Sequence, residues 1–126
     1  MLVLVVDDDV DMEMLFQQKF RRDLKEHKFT LHFARSGEEA LKFLESHSAT
    51  ELVLILSDIN MPGMTGLELL KRIREKYGPQ KVFLVTAYGD ENSRQQALDA
   101  GADDYVHKPI DFDDLRKKMY LALGIA

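Results

Sequence analysis

Acidic side chains follow two strongly apolar segments of the sequence. Residues 7–9, all aspartates, come directly after the aliphatic run Leu2–Val6, and Asp58 comes two residues after the apolar run at 52–56. Short aliphatic runs of this kind are typical of parallel strands that are buried on both faces. In an open parallel sheet, ligands bind at the carboxyl ends of the strands. The pattern therefore predicts that these carboxylates lie together at a ligand-binding edge.

Carboxylates that converge at one edge of a sheet repel one another. Two unit charges about 5 Å apart cost about 3 kcal/mol at an effective dielectric constant near 20. Either one carboxylate is then protonated or a cation lies among them. Oxygen-only ligands with no neighbouring cysteine or histidine favour a hard ion, Mg²⁺ or alternatively Mn²⁺.

A calcium-binding loop is the first alternative for the acidic segment. The alternating positions of Asp7, Asp9 and Asp11 match the start of such a loop. However, Met12 stands where the loop requires a glycine, and Gln18 stands where it requires a bidentate glutamate. This interpretation is therefore rejected.

Polar and charged residues also lie at the ends of the fourth and fifth predicted strands. Thr86 offers a hydroxyl group, and Ala87 next to it has an exposed amide that can approach an anion. Lys108 supplies a cation, and Pro109 fixes the direction of the chain there. A metal ion, a lysine, a hydroxyl and a backbone N–H around one carboxylate form a phosphoryl-transfer site, with Asp58 as the nucleophile.

Strands and helices alternate along the whole sequence. We predict strands at 2–6, 29–34, 52–56, 81–86 and 105–106, and helices from 10 to about 25, from 36, from 65 to 77, from 90 or 93, and from 111. Ser36 and Thr65 each precede a glutamate by three residues, which is the capping-box pattern, and Asp111 is a predicted N-cap. Alternation with short connections predicts a parallel sheet with helices on both faces. The predicted fold class is α/β, a flavodoxin-like doubly wound (βα)5 sandwich with strand order 2-1-3-4-5.

Three further expectations concern side chains away from the strand ends. Asp23 is predicted on the solvated face of the first helix, and Leu98 on a weak apolar face of the fourth. The histidines show no metal-ligand spacing and are expected at the surface, with a reservation for the one beside Lys108; they are His27, His32, His47 and His107.

Composition limits the class of protein. The 126 residues fit one domain, residues 1–126, and the net charge of −5 argues against nucleic-acid binding. The sequence has no cysteine, which fits a reducing, cytoplasmic setting. The N-terminus lacks the basic region of a signal peptide, and no apolar segment is long enough to cross a membrane.

Four groups of residues at the strand ends form a recognisable set. They are Asp7 with Asp8, Asp58 within SDINMPGMTG, Thr86 with Ala87, and the run AGADDYVHKP at 100–109. In this order and at these spacings, they closely resemble the receiver domain of two-component response regulators over essentially the full length. The resemblance implies a phosphoacceptor signalling domain of a phosphorelay. A sensor histidine kinase or phosphotransfer protein would supply the phosphoryl group.

The resemblance also implies roles for residues around the metal ion. Asp8 and Asp58 would bind Mg²⁺ directly, Asp7 would hold a metal-bound water, and the backbone carbonyl of Asn60 would be a further ligand. In the family, positions matching Asn60 and Tyr88 influence hydrolysis of the aspartyl phosphate. We expect the bulky Tyr88 side chain to hinder the attacking water and to prolong the phosphorylated state.

A second set of implied roles concerns the phosphoryl group and the response to it. Lys108 and Thr86 would contact the phosphoryl oxygens together with the N–H of Ala87, and the Lys108–Pro109 peptide would be cis. In the family the threonine moves inward and an aromatic residue follows it; the matching pair is Thr86 and Tyr105. The face formed by the fourth helix, the fifth strand and the last helix would then change for output or partner binding.

Rival functions fit the sequence less well. A phosphatase or mutase of the haloacid dehalogenase type requires a second acid two residues after the nucleophile, where this chain has Asn60. A pseudo-receiver usually lacks the aspartate or the lysine, and a flavodoxin requires a phosphate loop rich in serine and threonine. The chain is thus expected to catalyse only its own phosphorylation and dephosphorylation. The effector and homodimerisation through the last helix are left open.

Overall fold

The computed structural model describes residues 1–47, 52–87 and 91–125. These residues form five strands and six helices, in the order β1 Leu2–Val6, α1 Val10–Lys19, α2 Arg21–Lys25, β2 Thr30–Ala34, α3 Gly37–Ser46, β3 Leu52–Asp58, α4 Gly66–Tyr77, β4 Lys81–Ala87, α5 Glu91–Asp99, β5 Asp104–Lys108 and α6 Phe112–Leu123. Every predicted strand is present. The fourth predicted helix begins at Glu91, and its alternative start at Asp90 lies outside the described residues.

The strands form one parallel sheet in the order β2-β1-β3-β4-β5, as the alternating pattern predicted. The register aligns Val6 of β1 with Ser57 of β3, so the aspartates that follow both residues reach the same edge. Ala87 of β4 is aligned with Lys108 of β5 at that edge. The sheet therefore collects the carboxyl ends of four strands at one place.

Two hydrophobic cores cover the faces of the sheet. On one face, α3, α4 and α5 contribute Ala40, Leu44, Leu69, Leu70, Ile73 and Ala97. On the other face, α1 contributes Phe16, α6 contributes Leu115 and Met119, and Phe20 packs with them from the junction between α1 and α2. Because β1 and β3 lie in the middle of the sheet, both of their faces are buried, which explains their uninterrupted aliphatic sequences.

The predicted helix caps are confirmed. The Ser36 hydroxyl accepts the N–H of Glu39 at 3.0 Å, and the Thr65 hydroxyl accepts the N–H of Glu68 at 3.2 Å. Asp111 accepts two N–H groups at the start of α6, at 3.1 and 3.2 Å. Such caps are each worth about 1 kcal/mol, and the one at Thr65 fixes where α4 begins after the Asp58 loop.

The first predicted helix is divided in two. It was expected to run continuously from 10 to about 25, but α1 ends at Lys19 and α2 begins at Arg21. Phe20 at the junction has φ −104° and ψ 17°, outside the helical range. The Arg116 side chain of α6 donates to the carbonyl of Lys19 at 2.6 Å. Neither glycine nor proline marks this break, so the sequence pattern did not reveal it.

The prediction that Asp23 faces solvent was wrong. Asp23 is only 4% exposed. Its carboxylate accepts hydrogen bonds from Arg116 Nε at 3.2 Å and from the Tyr120 hydroxyl. These partners lie more than ninety positions away in the sequence. The spacing within one helix therefore predicted that the Asp23 side chain faces solvent, whereas in the structure it is buried in a contact between α2 and α6.

The apolar face predicted for the fourth helix is narrower than expected. Ala97 of α5 is fully buried against the sheet, whereas Leu98 is 43% exposed. Successive residues of an α-helix point about 100° apart, and in α5 Ala97 faces the core while Leu98 points away from it. The helix thus packs on the sheet mainly through a small side chain.

Candidate functional site

Three carboxylates meet where β1 and β3 end. Asp7 and Asp58 are 8% and 6% exposed, and Asp8 is exposed. One ligand oxygen from each of the three lies within 4.8 Å of the other two. The convergence predicted from the two strand ends is therefore confirmed.

Lys108 joins the acidic residues from the other side. Its Nζ donates to Asp58 Oδ2 at 2.8 Å and to Asp7 Oδ2 at 3.3 Å. Burial alone would lower the pKa of Lys108, but its bond to Asp58 and the charges of Asp58 and Asp7 outweigh that effect, and the pKa is raised. The lysine is therefore held in its charged form between strands β1, β3 and β5.

The Asp7 carboxyl has a raised pKa. Burial is the main cause, and the negative charge of Asp58 adds to it, while a hydrogen bond from the Asp9 N–H and the charge of Lys108 act in the opposite direction. Three carboxylates meet at this edge, and Lys108 pairs with two of them. The site carries excess negative charge that a second cation would relieve.

The three carboxylates suit a small divalent cation. All of the available ligand atoms are oxygens, which hard ions such as Mg²⁺ prefer. Opposite ligands of Mg²⁺ are about 4.2 Å apart, twice its bond length of about 2.1 Å. Oxygens within 4.8 Å of one another can reach that geometry with small side-chain movements. The residues therefore fit the group that the sequence resemblance implies.

The Asp58 carboxylate is fixed at both oxygens. Oδ2 accepts from Lys108, and Oδ1 accepts the backbone N–H of Asn60 at 3.2 Å. The loop after Asp58 is held by a bond from the Gly66 N–H to the Ile59 carbonyl at 2.9 Å. A side chain at Gly66 would collide with the backbone of Asp58, so glycine is required there. Asn60 itself is exposed beside the carboxylates.

Thr86 and Ala87 lie where β4 ends, as predicted. Thr86 is fully buried, whereas Ala87 is exposed at the end of the strand and aligned with Lys108. The Thr86 hydroxyl oxygen is 3.3 Å from Nδ1 of His107, within hydrogen-bond distance. Tyr88, which was predicted to influence hydrolysis, lies outside the described residues.

Tyr105, the predicted switch aromatic, is half-buried and packs between two cations. The Arg94 guanidinium of α5 is 4.7 Å from the ring centre, and Lys118 Nζ of α6 is 5.5 Å from it. The ring lies edge-on to His107 at 5.3 Å and 73°. Tyr105 thus contacts the two helices next to β5 as well as the residue that contacts Thr86.

His107 is the site residue that the sequence interpretation underestimated. It was expected at the surface with a reservation, but it is half-buried and contacts both Thr86 and Tyr105. Alternate residues of a strand point to the same face, so Tyr105 and His107 necessarily share one. That spacing was the available signal, together with the neighbouring Lys108. The Lys108–Pro109 peptide is cis, as the resemblance implied.

A groove of about 680 Å³ opens beside Lys108. Its apolar part is formed by Met12 and Leu15 of α1 and by Ile110 and Phe112 after β5. Lys108 lines the same groove and so connects it with the acidic site.

Among the described helices, none has the length and apolarity that a membrane span requires.

Comparisons with known proteins point to one family. The family model of the response regulator receiver domain matches residues 3–120. The chain is 33% identical over 119 residues to the response regulator RppA of Synechocystis sp., covering 94% of this chain and 49% of that protein. It is 36% identical over 124 residues to a cyclic di-GMP phosphodiesterase of Thermotoga maritima, covering 98% and 31%. The chain thus spans half or less of the length of these curated relatives.

Solved structures give the same result. The signal receiver domain of an HD domain-containing protein from Pseudomonas fluorescens superposes with a TM-score of 0.84 at 31% identity. The superposition covers 98% of this chain and 94% of that one. A putative response regulator from Chloroflexus aurantiacus superposes with a TM-score of 0.85 at 27% identity, over 98% and 97% of the two chains.

Proposed function

Because the chain belongs to the response regulator receiver domain family, we propose that Asp58 is its phosphoacceptor in a two-component phosphorelay. The observation that carries this proposal is the position of the Asp58 carboxylate. It ends a buried strand, binds Lys108 at 2.8 Å and lies among the carboxylates of Asp7 and Asp8. A carboxylate held in this way is oriented for attack before a donor arrives.

The proposed reaction transfers a phosphoryl group from a phosphohistidine. An Asp58 oxygen forms the new bond to phosphorus while the bond between phosphorus and the donor imidazole nitrogen breaks, and that nitrogen takes up a proton. Lys108 then exchanges its bond to Asp58 for a phosphoryl oxygen. The Thr86 hydroxyl and the Ala87 N–H contact the remaining oxygens. Each of these groups stabilises negative charge that the phosphoryl group brings into the site.

The proposed metal ion is Mg²⁺, with Mn²⁺ as an alternative of the same ligand preference. Asp8 and Asp58 would hold it directly, Asp7 through a water, and Asn60 through its backbone carbonyl. When bound, the ion supplies positive charge for the phosphoryl oxygens. The surplus of three carboxylates over one lysine at this site supports the assignment.

The proposed consequence of phosphorylation is a shift between two arrangements of one face. The face consists of α5, β5 and α6, and it includes Tyr105 and its two cationic neighbours, Arg94 and Lys118. A phosphoryl group that binds Thr86 better in one arrangement shifts the population toward it. An effector domain or a separate effector protein would read that face. The chain would act in the cytoplasm and would catalyse only its own phosphorylation and dephosphorylation.

The proposed donor is a sensor histidine kinase or a phosphotransfer protein, and the groove beside Lys108 is its proposed docking surface. The groove is apolar where α1 meets the segment after β5, and it includes Lys108, which binds the carboxylates of Asp7 and Asp58. Leu15→Lys should therefore slow transfer from phosphorylated kinases of the source genome while leaving labelling by acetyl phosphate unchanged. Equal loss with both donors would contradict the docking proposal.

Incubation with acetyl phosphate and Mg²⁺ followed by intact-mass measurement tests the central proposal. The wild-type chain should gain one phosphoryl group, and Asp58→Asn should gain none. Asp9→Asn is the matched control, because Asp9 lies at the same edge and outside the group of three carboxylates. Phosphorylation of Asp58→Asn to the wild-type level would refute the assignment.

A further inference from the structure

We propose that His107 is a positioning residue that restrains the Thr86 hydroxyl and so opposes the phosphorylated arrangement. The inference rests on the proposed function, because it assumes that Thr86 contacts a phosphoryl group on Asp58. Thr86 and His107 are register partners on the neighbouring strands β4 and β5. The hydroxyl oxygen and the ring Nδ1 are 3.3 Å apart. His107 thus contacts the hydroxyl group that would bind the phosphoryl group.

The hydroxyl group has one proton to donate. If His107 Nδ1 is unprotonated, it accepts that proton; if it carries a proton, it donates to the hydroxyl oxygen. In both cases the interaction holds the Thr86 side chain in the rotamer that points toward β5. Threonine is β-branched, so moving its oxygen elsewhere requires a jump to another of a few rotamers.

Because of burial, the Thr86 side chain has nearly only two arrangements, one bonded to His107 and one bonded to a new partner. Thr86 is fully buried, and a buried hydroxyl that loses its partner without gaining another is destabilised. Release from His107 is therefore favourable only when a new acceptor is present, and a phosphoryl oxygen on Asp58 is such an acceptor. The His107 contact thus sets part of the threshold for switching.

The same ring connects the site with the outer face of β5. His107 lies edge-on to Tyr105 at 5.3 Å, and Tyr105 packs between Arg94 and Lys118. A change in the contact between Thr86 and His107 therefore alters the packing of the His107 ring against Tyr105. The restraint acts at the first step of the path from the phosphoryl group to the face formed by α5, β5 and α6.

Three substitutions separate the hydrogen bond from the shape of the ring. The side-chain amide of asparagine reaches about as far as Nδ1 of histidine, so His107→Asn should retain the bond to Thr86. The amide of glutamine reaches as far as Nε2, so His107→Gln should lose it. His107→Phe keeps a ring against Tyr105 but has no nitrogen. Only the first variant preserves the proposed restraint.

The affinity for beryllofluoride, a phosphoryl analogue, measures the switch directly when Mg²⁺ is present. Titration followed by amide chemical shifts should give about three- to ten-fold tighter binding for His107→Phe and His107→Gln, which is the range expected for one neutral hydrogen bond. His107→Asn should bind like the wild type. In a Thr86→Val background, His107→Phe should have no effect, because the partner of the bond is already gone.

Two results would overturn the inference. One is equal affinity for the wild type, His107→Phe and His107→Gln; the other is weaker binding by both variants, which would mean that His107 assists the switch. Should His107→Phe not fold in a thermal melt, His107→Gln decides the outcome. Failure of the wild type to gain a phosphoryl group from acetyl phosphate would instead refute the proposed function.

Discussion

Removing the charge of Asp8 should stabilise the chain without metal and abolish its response to Mg²⁺. An oxygen of Asp8 lies within 4.8 Å of the acidic oxygens of Asp7 and Asp58. Those two carboxylates share an ion pair with Lys108. Within residues 1–47, 52–87 and 91–125, no salt bridge to Asp8 is formed. Its charge is therefore repelled by two neighbours with little direct compensation.

The size of this repulsion follows from the distance. At 4.8 Å, two unit charges repel by about 0.9 kcal/mol at the dielectric constant of water and by about 3.5 kcal/mol at an effective value of 20. Asp8 is exposed, so the smaller value applies to each of its two pairs, and Lys108 offsets part of the sum. Asp8→Asn should thus gain about 1 kcal/mol. That gain corresponds to about 4 °C in the melting temperature of a chain of this length.

Far-UV circular dichroism during heating measures the effect in EDTA and in excess MgCl₂. In EDTA, Asp8→Asn should melt at a higher temperature than the wild type. A cation that binds only the folded state stabilises it, so the wild type should melt higher in MgCl₂ than in EDTA. Asp8→Asn lacks one of the proposed direct ligands and should melt at the same temperature in both.

Asp9→Asn provides the matched control. Asp9 accepts the N–H of Asp11 at 3.0 Å as the N-cap of α1, a role that asparagine fills equally well. It does not belong to the group of three carboxylates, so its Mg²⁺ response should match the wild type. A lower melting temperature for Asp8→Asn in EDTA, or an undiminished Mg²⁺ response, would refute the electrostatic reasoning.

Three further predictions concern other parts of the chain. Arg74→Met should lower the free energy of unfolding in urea by about 2 kcal/mol. The reason is that Arg74 makes charged hydrogen bonds to the Gly101 carbonyl at 2.8 Å and to Asp103 at 3.0 Å. An unchanged free energy of unfolding would contradict this prediction. A hydrogen bond to Asp23, burial and the charge of Asp23 raise the pKa of Tyr120 to about 12. The wild type should therefore have a larger free energy of unfolding in urea than Tyr120→Phe. This difference should be complete below about pH 10 and should disappear toward pH 12. A difference that stays constant with pH would argue against the hydrogen bond. Tyr88→Ala should hydrolyse its aspartyl phosphate faster than the wild type, and an equal or slower rate of phosphate release would contradict the shielding role.

The sheet and the site edge could be predicted because their signals are local. The central strands are apolar runs of a few residues; Asp58 follows one such run by two residues, and Lys108 follows the short predicted strand 105–106 by two residues. Strict alternation of strands and helices then restricts the topology to very few orders. No contact between distant side chains had to be known in order to bring the carboxylates together.

The error at Asp23, and a role of Asp103 for which no prediction was made, both depend on a distant partner. Asp23 looks like a surface residue within its own helix, but Arg116 and Tyr120 of α6 bury it. Asp103 belongs to the run that carried the family resemblance, yet its carboxylate accepts the Val82 N–H at 2.8 Å and binds Arg74. Its position identified the family without indicating a structural role. In both cases the missing information was tertiary: helical spacing describes only one helix at a time, and the family motif does not show which groups the Asp103 carboxylate contacts.

The pairing of β4 with β5 explains why His107 was hard to predict and why it matters. One register sets Lys108 beside Ala87 and, through the same ladder, His107 beside Thr86. A shift by one residue would bring Val106 beside Thr86 and turn every side chain of β5 to the opposite face. The lysine that binds Asp58 and the histidine that contacts Thr86 are therefore fixed together by one strand. A change in that register could not release Thr86 without also removing Lys108 from the carboxylates, so a mutation that removes the restraint and keeps the lysine in place must change the side chain of His107 or of Thr86.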